Sequence, residues 1–297
     1  MLSSLRNIYE KEYKRLLIIP VVMLIVSLIL IGVQVSTTGD FINKEVSLAG
    51  GVTITLQQVS AVPTDLEAKL KAAFPSNDID VRTLRSAGVD SAIVVTADIQ
   101  GTNEIDSFIA SLESATGEPL NDYNVEVIGS SLGASFFKEV LIALIVAFVL
   151  MGIVVLIYFR ILIPSLAAIF SVFTDIVITL AIVNLIGIKV NTAGIAAFLM
   201  LIGYSVDTDI LLSMKLLKRR EGRSIFEATL DAMKTGLMMS ITTILALIVA
   251  LVFSQSATIQ QIATILLIGV IVDIIATWIT NAALLRMYLE RKLHHEN

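Results

Sequence analysis

The chain has 297 residues, 56% hydrophobic and only 16% charged, with a mean hydropathy of +0.87, which excludes an ordinary soluble domain and indicates an integral membrane protein. Its formal net charge of -5 gives no reason to expect a nucleic-acid partner. The absence of cysteine excludes disulfides, thiolate metal sites and a cysteine nucleophile.

Six apolar runs are each long enough to cross the hydrocarbon core of a bilayer, which takes about 20 helical residues. The predicted spans cover residues 16–35, 137–158, 163–186, 192–214, 236–254 and 260–285. The first run is too long for the core of a signal peptide and lacks a clear small-residue cleavage site, so we interpret it as a retained helix. The sequence therefore predicts one span, a long polar stretch and five closely spaced spans.

The predicted spans divide the chain into five parts. These are an N-terminal tail (1–15), a first transmembrane helix (16–35), a polar domain (36–135), a five-helix transmembrane bundle (136–286) and a C-terminal tail (287–297). Most of the 21 Lys and Arg residues lie in the two tails and in the loops after the second and fourth spans. The positive-inside rule therefore predicts a multi-pass protein of the cell membrane with both termini in the cytoplasm and the polar domain outside.

Strand-like and helix-like segments alternate in the polar domain. The predicted strands are 45–59, with a break at Gly50-Gly51, then 79–84, 92–97 and 123–128, and the predicted helices are 63–74 and 102–115. The order β-α-β-β-α-β is typical of a ferredoxin-like fold. Because the domain has no His, no Cys and no Ser with a plausible base, we expect it to bind or push a partner and not to act as an enzyme.

Four aspartates lie inside the predicted spans, where a centred carboxylate costs roughly 2.5–3.5 kcal/mol and is by default a functional-site hypothesis. Asp175 is in the third span, Asp207 and Asp209 are in the fourth, and Asp273 is in the sixth. Residues two apart on a helix point about 200° away from each other, so Asp207 and Asp209 cannot face the same way. We predict that one of them shares a polar cavity with the other acids, while its neighbour meets another helix or a partner subunit.

Polar side chains near these acids can hydrogen-bond a carboxyl group in either protonation state, as a proton relay requires. The predicted supporting residues are Gly203, Ser205, Thr208, Lys234, Thr242 and Thr243, with Lys234 the basic candidate nearest to that depth. An alternative interpretation stays open, in which the acids only cap or pair helices. His294 and His295 have no third ligand beside them, so we expect no metal and no cofactor.

Several short motifs, in their order and topology, resemble the SecF family, whose members form part of the SecDF protein-export complex in the resistance-nodulation-division superfamily. They are Gly50-Gly51, Ile128-Gly129-Ser130-Ser131-Leu132-Gly133, Tyr158-Phe159-Arg160, Thr174-Asp175-Ile176-Val177, Ile202-Gly203-Tyr204-Ser205 and Ser240-Ile241-Thr242-Thr243. The missing cysteines and the variant acidic motif are similar to archaeal members of the family.

The chain departs from the bacterial pattern in the membrane. Bacterial SecF usually has Asn-Asp-Thr after Gly-Tyr-Ser-Ile, whereas this chain has Asp207-Thr208-Asp209. Asp273 takes a position often held by Gly, and Lys234 matches the family's basic residue before the fifth span only approximately. The choice between H⁺ and Na⁺ as coupling ion stays open.

The resemblance implies a half-transporter with six spans and an extracytoplasmic ferredoxin-like domain, which assists Sec-dependent protein export and is coupled to proton movement. Its implied partners are a SecD-like subunit, the Sec translocation channel, the translocating polypeptide and membrane lipid. One alternative is a stand-alone secondary transporter of lipid or a small hydrophobic solute, for which twelve spans and two outer domains are expected. Another is an intramembrane aspartyl protease that uses Asp175 and Asp207, but the Tyr-Asp and Gly-Leu-Gly-Asp signatures are missing.

Overall fold

The computed structural model describes residues 10, 12–57, 65–86, 89–116, 123–218, 224–254 and 256–296. The strands are β1 (Gly51–Gln57), β2 (Ile79–Ser86), β3 (Val89–Ala97) and β4 (Tyr123–Ile128). The main helices are α1 (Ile18–Thr38), α2 (Leu66–Ala73), α3 (Thr102–Thr116), α4 (Ser130–Phe159), α5 (Leu162–Leu185), α6 (Thr192–Leu217), α7 (Ile225–Phe253), α8 (Ala257–Ile275) and α9 (Ala282–Glu296). A π-helical segment, Ala276–Asn281, joins α8 to α9, and single helical turns occur at Tyr13–Leu16 and Val46–Ala49.

Six helices of the described chain are long and apolar enough to cross a membrane, as predicted. They are α1, α4, α5, α6, α7 and the continuous rod that α8, the π-helical segment and α9 form. Helices α4 and α7 begin at Ser130 and Ile225, several residues before the apolar runs at 137 and 236. The difference arises because the first turns of both helices contain polar residues. These turns are helical, but they do not belong to the apolar run from which the span was predicted.

The strands form one antiparallel sheet in the order β2-β3-β1-β4, which confirms the predicted ferredoxin-like arrangement. Ile54 in β1 pairs with Val95 on one side and Val125 on the other. Helices α2 and α3 cover one face, where the fully buried Phe108 and Leu112 complete a core with the strands. Burial of this apolar face, worth roughly 25 cal/mol per Å², holds the layers together.

The first predicted strand is wrong at its beginning, and its end at 58–59, like the start of the first predicted helix at 63–64, lies outside the described residues. Residues 46–49 form a helical turn that packs against α4 and buries Leu48. Strand β1 begins only after Gly50, which has a φ of 91°. A Cβ at Gly50 would lie 2.5 Å from the Cα of Ser130, so this close approach to the start of α4 requires glycine.

Helix α6 lies at the centre of the bundle and packs against α4, α5, α7 and α8. Within the most apolar window of each span, 61% of the residues of α5 and 50% of those of α6 and of the last rod are buried, against 17% for α1 and 11% for α4 and α7. The first group therefore forms the interior, and α1, α4 and α7 present most of their surface outward. Phe198, Leu201 and Ile265 fill the interface between α6 and α8 on the side nearest the sheet domain.

The sheet domain is attached to the loop that joins α5 to α6. The backbone N–H of Val190 donates to the Asn43 carbonyl at 2.7 Å, and the N–H of Glu45 donates to the Val190 carbonyl at 2.9 Å. Lys189 pairs with Asp78 at 2.7 Å. Asn191, the residue after Val190, caps the beginning of α6. The sheet domain therefore contacts the chain directly at the beginning of the central helix.

Candidate functional site

Asp209 is the buried member of the acidic pair on α6. Its side chain is fully inaccessible and points toward the last rod. The Asn281 side-chain amide donates to Asp209 Oδ1 at 2.6 Å, and the Thr277 hydroxyl donates to the same oxygen at 3.1 Å. Both donors belong to the π-helical segment, so this segment and α6 position the carboxylate together.

Asp273, in the last turn of α8, lies beside Asp209 and is also fully buried. The Thr277 hydroxyl lies 3.0 Å from Asp273 Oδ1, and the Thr208 hydroxyl lies 3.2 Å from each oxygen of the same carboxyl group. Thr277 therefore contacts Asp209 and Asp273 at once. Thr208, which stands between the two acids of α6 in sequence, faces inward with Asp209.

Asp175 completes the cluster from α5 and is fully inaccessible as well. The Ser205 hydroxyl of α6 donates to Asp175 Oδ2 at 2.5 Å, and the carboxyl groups of Asp175 and Asp273 interact electrostatically. The structure therefore brings together three of the four predicted acids. Ser205 and Thr208 are the predicted supporting residues that bind them.

Asp207 lies on the opposite side of α6, as the 200° separation requires. Its side chain is exposed, and within the described chain it has no hydrogen bond or ion pair. Gly203, one turn earlier on the same side, is also exposed and has open space where a Cβ would stand. These two residues form part of an outward-facing surface of the central helix.

The other predicted supporting residues lie away from the three buried acids. Lys234 is exposed on α7, and Thr242, also exposed, hydrogen-bonds the backbone of its own helix at 2.8 and 3.1 Å. Thr243 is half-buried near Tyr204, whose hydroxyl donates to Ser240 at 2.8 Å. Across the described residues, no Lys or Arg pairs with Asp175, Asp209 or Asp273, so the cluster contains acids and neutral polar groups.

Sequence reasoning missed Thr277. It named Asn281 among the polar groups able to hydrogen-bond a carboxylate but did not include it in the predicted site. The available signal was the spacing, because Thr277 and Asn281 follow Asp273 at four and eight residues, which places them near the same face of one helix. The π-helical segment itself carries no sequence signature that would have predicted it. Segments of this kind are rare and occur frequently at functional sites.

Asp175 and Asp209 each have one carboxyl oxygen that accepts a hydrogen bond and one that accepts none from the part of the chain that the structure describes. Asp175 Oδ1, Asp209 Oδ2 and the side-chain oxygen of Asn281 are the oxygens that receive no hydrogen bond from these described residues. Asp273 lies beside the carboxyl group of Asp175, and Ser171 lies beside that of Asp209. A carboxyl group that carries a proton presents a donor at the oxygen that accepts no hydrogen bond, whereas an ionised group leaves a buried negative charge unpaired, which is costly. Within the described chain, no group of three His, Cys, Asp or Glu residues suits a metal ion. Buried carboxyl groups hydrogen-bonded to hydroxyl groups are the kind of groups that a proton relay requires.

Residues 108–291 match the family model of the C-terminal region of the protein-export membrane proteins SecD and SecF. The chain is 35% identical to the protein-export membrane protein SecF of Pyrococcus furiosus, over 98% of this chain and 96% of that protein. It is 36% identical to the SecF of Methanocaldococcus jannaschii, over 94% and 96%.

Among solved structures, the fold is similar to SecDF, a translocon-associated membrane protein from Thermus thermophilus, with a TM-score of 0.71 at 18% identity. The match covers 95% of this chain and 39% of that one. SecDF in a super-membrane-facing form matches with a TM-score of 0.57 at 20% identity, over 94% of this chain and 38% of that one. The chain therefore spans about two fifths of the length of these structural relatives.

Proposed function

Because the chain belongs to the SecF family of protein-export membrane proteins, we propose that it is an accessory subunit of the Sec translocase that couples proton movement to protein export. In this role it catalyses no covalent reaction. Protons pass through the three acids on α5, α6 and α8, and the resulting changes in helix packing move the sheet domain, which handles the polypeptide as it leaves the Sec channel.

The buried three-acid cluster is the observation that carries this proposal. Asp175, Asp209 and Asp273 are inaccessible, accept hydrogen bonds from Ser205, Thr208 and Thr277, and have no cationic partner in the described structure. Intramembrane acids that serve only as structural contacts are expected to be paired or fully hydrogen-bonded. Unpaired oxygens on two of these acids instead favour groups that change their protonation state.

A SecD-like subunit is the proposed partner, since the SecDF chains are about two and a half times as long as the part that this chain matches. It would contact the outward surface of α6 at Gly203 and Asp207. Asp207 supports this placement because a carboxylate exposed to lipid is costly, whereas a donor on a neighbouring subunit would satisfy it. The Sec channel, the translocating polypeptide and membrane lipid are the other proposed contacts.

The proposed orientation places both termini in the cytoplasm and the sheet domain outside the cell membrane. It rests on the basic residues in the tails and in the loops after the second and fourth spans. The attachment of the sheet domain to Val190 supports the coupling, because two backbone hydrogen bonds join the residue just before the N-cap of α6 to Asn43 and Glu45, in the segment that leads into β1.

Export of a reporter precursor in cells tests this function. The native gene is replaced by the variant Asp209→Asn, which keeps the size of the side chain and removes its titration, and membrane abundance is measured alongside export. We expect export to fall about tenfold or more at normal abundance. Export at the level of the parent chain in a double variant, Asp209→Asn with Asp273→Asn, would rule out a proton-coupled role for the cluster.

A further inference from the structure

We propose that the hydroxyl group of Thr277, held in place by the π-helical segment, is the bridge through which a proton passes between Asp273 and Asp209. This inference rests on the proposed function and assigns a route within it. Thr277 is fully buried, and its Oγ1 lies 3.0 Å from Asp273 Oδ1 and 3.1 Å from Asp209 Oδ1. Both distances are within hydrogen-bonding range.

Thr277 occupies a position that no other described side chain shares. Thr208 bonds Asp273 at 3.2 Å but has no hydrogen bond to Asp209, and Asn281 bonds Asp209 but not Asp273. The backbone of Ser205 already accepts the Thr208 hydroxyl proton at 2.8 Å. Among the described residues, Thr277 alone therefore joins the two carboxyl groups.

A hydroxyl group has one proton to donate and two lone pairs to accept with, so it can receive and release a proton in one step. Asp273 Oδ1 gives its proton to Thr277 Oγ1 while the original hydroxyl proton of Thr277 moves to Asp209 Oδ1. One O–H bond forms on Thr277 as another breaks, Asp273 becomes ionised and Asp209 becomes neutral. The net charge of the cluster is unchanged, and rotation about the Cβ–Oγ bond resets the hydroxyl for the next proton.

The π-helical segment explains how Thr277 is held between the acids. Thr277 and Asn281, four residues apart in this segment, both donate to Asp209 Oδ1. Trp278, which is 3% exposed, fixes the segment from the other side. Its ring packs so closely on Gly236 of α7 that a Cβ at this glycine would lie 2.2 Å from Trp278 Cζ2. The hydroxyl thus lies in a segment anchored at both faces.

Proton flux tests the bridge in the complex of this chain with its SecD-like partner, reconstituted in liposomes with an imposed pH gradient. Thr277→Val keeps the shape of the side chain and removes the hydroxyl, and we expect flux to fall about tenfold or more. Thr277→Ser restores the hydroxyl and should keep most of the flux. Thr280→Val is the matched control, because Thr280 lies in the same segment, is 1% exposed and has a hydroxyl that hydrogen-bonds no other described residue.

Asp209→Asn, measured in the same liposomes, separates this inference from the function on which it rests. Loss of flux in Asp209→Asn with normal flux in Thr277→Val would overturn the bridge and leave the relay intact. Normal flux in both would overturn the relay as well. If Thr277→Val does not reach the membrane, Thr277→Ala takes its place, since alanine has no side-chain proton to give and no lone pair to accept one. Flux equal to that of Thr277→Ser would then contradict the bridge.

Discussion

Asp207 and Asp209 are two residues apart on α6 and have opposite surroundings. Their separation around the helix follows from the sequence alone, and the structure agrees with it. Which of the two faces inward does not follow from local sequence, because the groups that receive Asp209 are Thr277 and Asn281, about seventy positions away along the chain. Long-range packing decides which acid faces the interior of the bundle. The periodicity of a single helix contains no information about that choice.

Glu45 provides a pH-dependent prediction at the edge of the sheet domain. Burial raises the pKa of the Glu45 carboxyl, an effect that Arg82 at 3.7 Å only partly opposes. An acid with a raised pKa in the folded state stabilises the fold in its protonated form, and this contribution is lost as the pH rises through that pKa. We expect Glu45→Gln to reduce the fall in Tm that the parent chain shows as the pH rises from the ordinary carboxyl range towards neutrality.

Thermal unfolding of the purified chain across the acidic to neutral range measures this effect. Asp65→Asn is a suitable control, because Asp65 is exposed and its pKa is lowered by Lys69. If Glu45→Gln gives the same curve of Tm against pH as the parent chain, the raised pKa of Glu45 is contradicted.

At the scale of elements, the sequence predicted the six spans and the order of strands and helices, because these depend on long apolar runs and on alternation. It failed where a tertiary contact overrides the local pattern. Residues 46–49 form a helical turn because Gly50 must approach Ser130 closely. The π-helical segment lies within a stretch whose sequence is indistinguishable from that of an ordinary α-helix.

The packing of Trp278 on α7 gives a prediction about the π-helical segment. A Cβ in the variant Gly236→Ala would overlap the rigid indole ring, so we expect a loss of about 1–3 kcal/mol of stability, typical of overpacking. Gly203→Ala on α6 is the matched control, because no atom lies within 4 Å of its Cβ and alanine favours a helix. Thermal unfolding in detergent measures the Tm of each variant. Equal Tm values for Gly236→Ala and Gly203→Ala would refute the close packing of Trp278 on Gly236.

At the scale of the whole molecule, the interior of the bundle is built from α5, α6 and the last rod, while α1, α4 and α7 leave much of their surface outward. Sequence hydropathy predicted that all six helices cross the membrane but could not distinguish a lipid-facing surface from a subunit interface, because both are apolar. Asp207 distinguishes one outward surface from the others, since it places a carboxyl group there.

Asp207→Asn should weaken assembly with the SecD-like subunit without changing the fold of the isolated chain, because Asp207 has no partner within the described structure. Co-purification of the tagged chain with its partner, at matched expression, measures this effect, and we expect recovery of the partner to fall several-fold. Glu126→Gln on the exposed strand β4 serves as a charge-matched control. Full recovery of the partner with Asp207→Asn would place the subunit contact elsewhere.

Proton flux through the reconstituted complex tests the central claim most directly. Liposomes with equal Na⁺ on both sides and an imposed pH gradient are prepared with the parent chain and with Asp209→Asn. The account predicts that protons cross with the parent chain and that the variant reduces this flux to the level of empty liposomes. Equal flux in the two preparations would contradict the assignment of the buried acids on α5, α6 and α8 as the proton route.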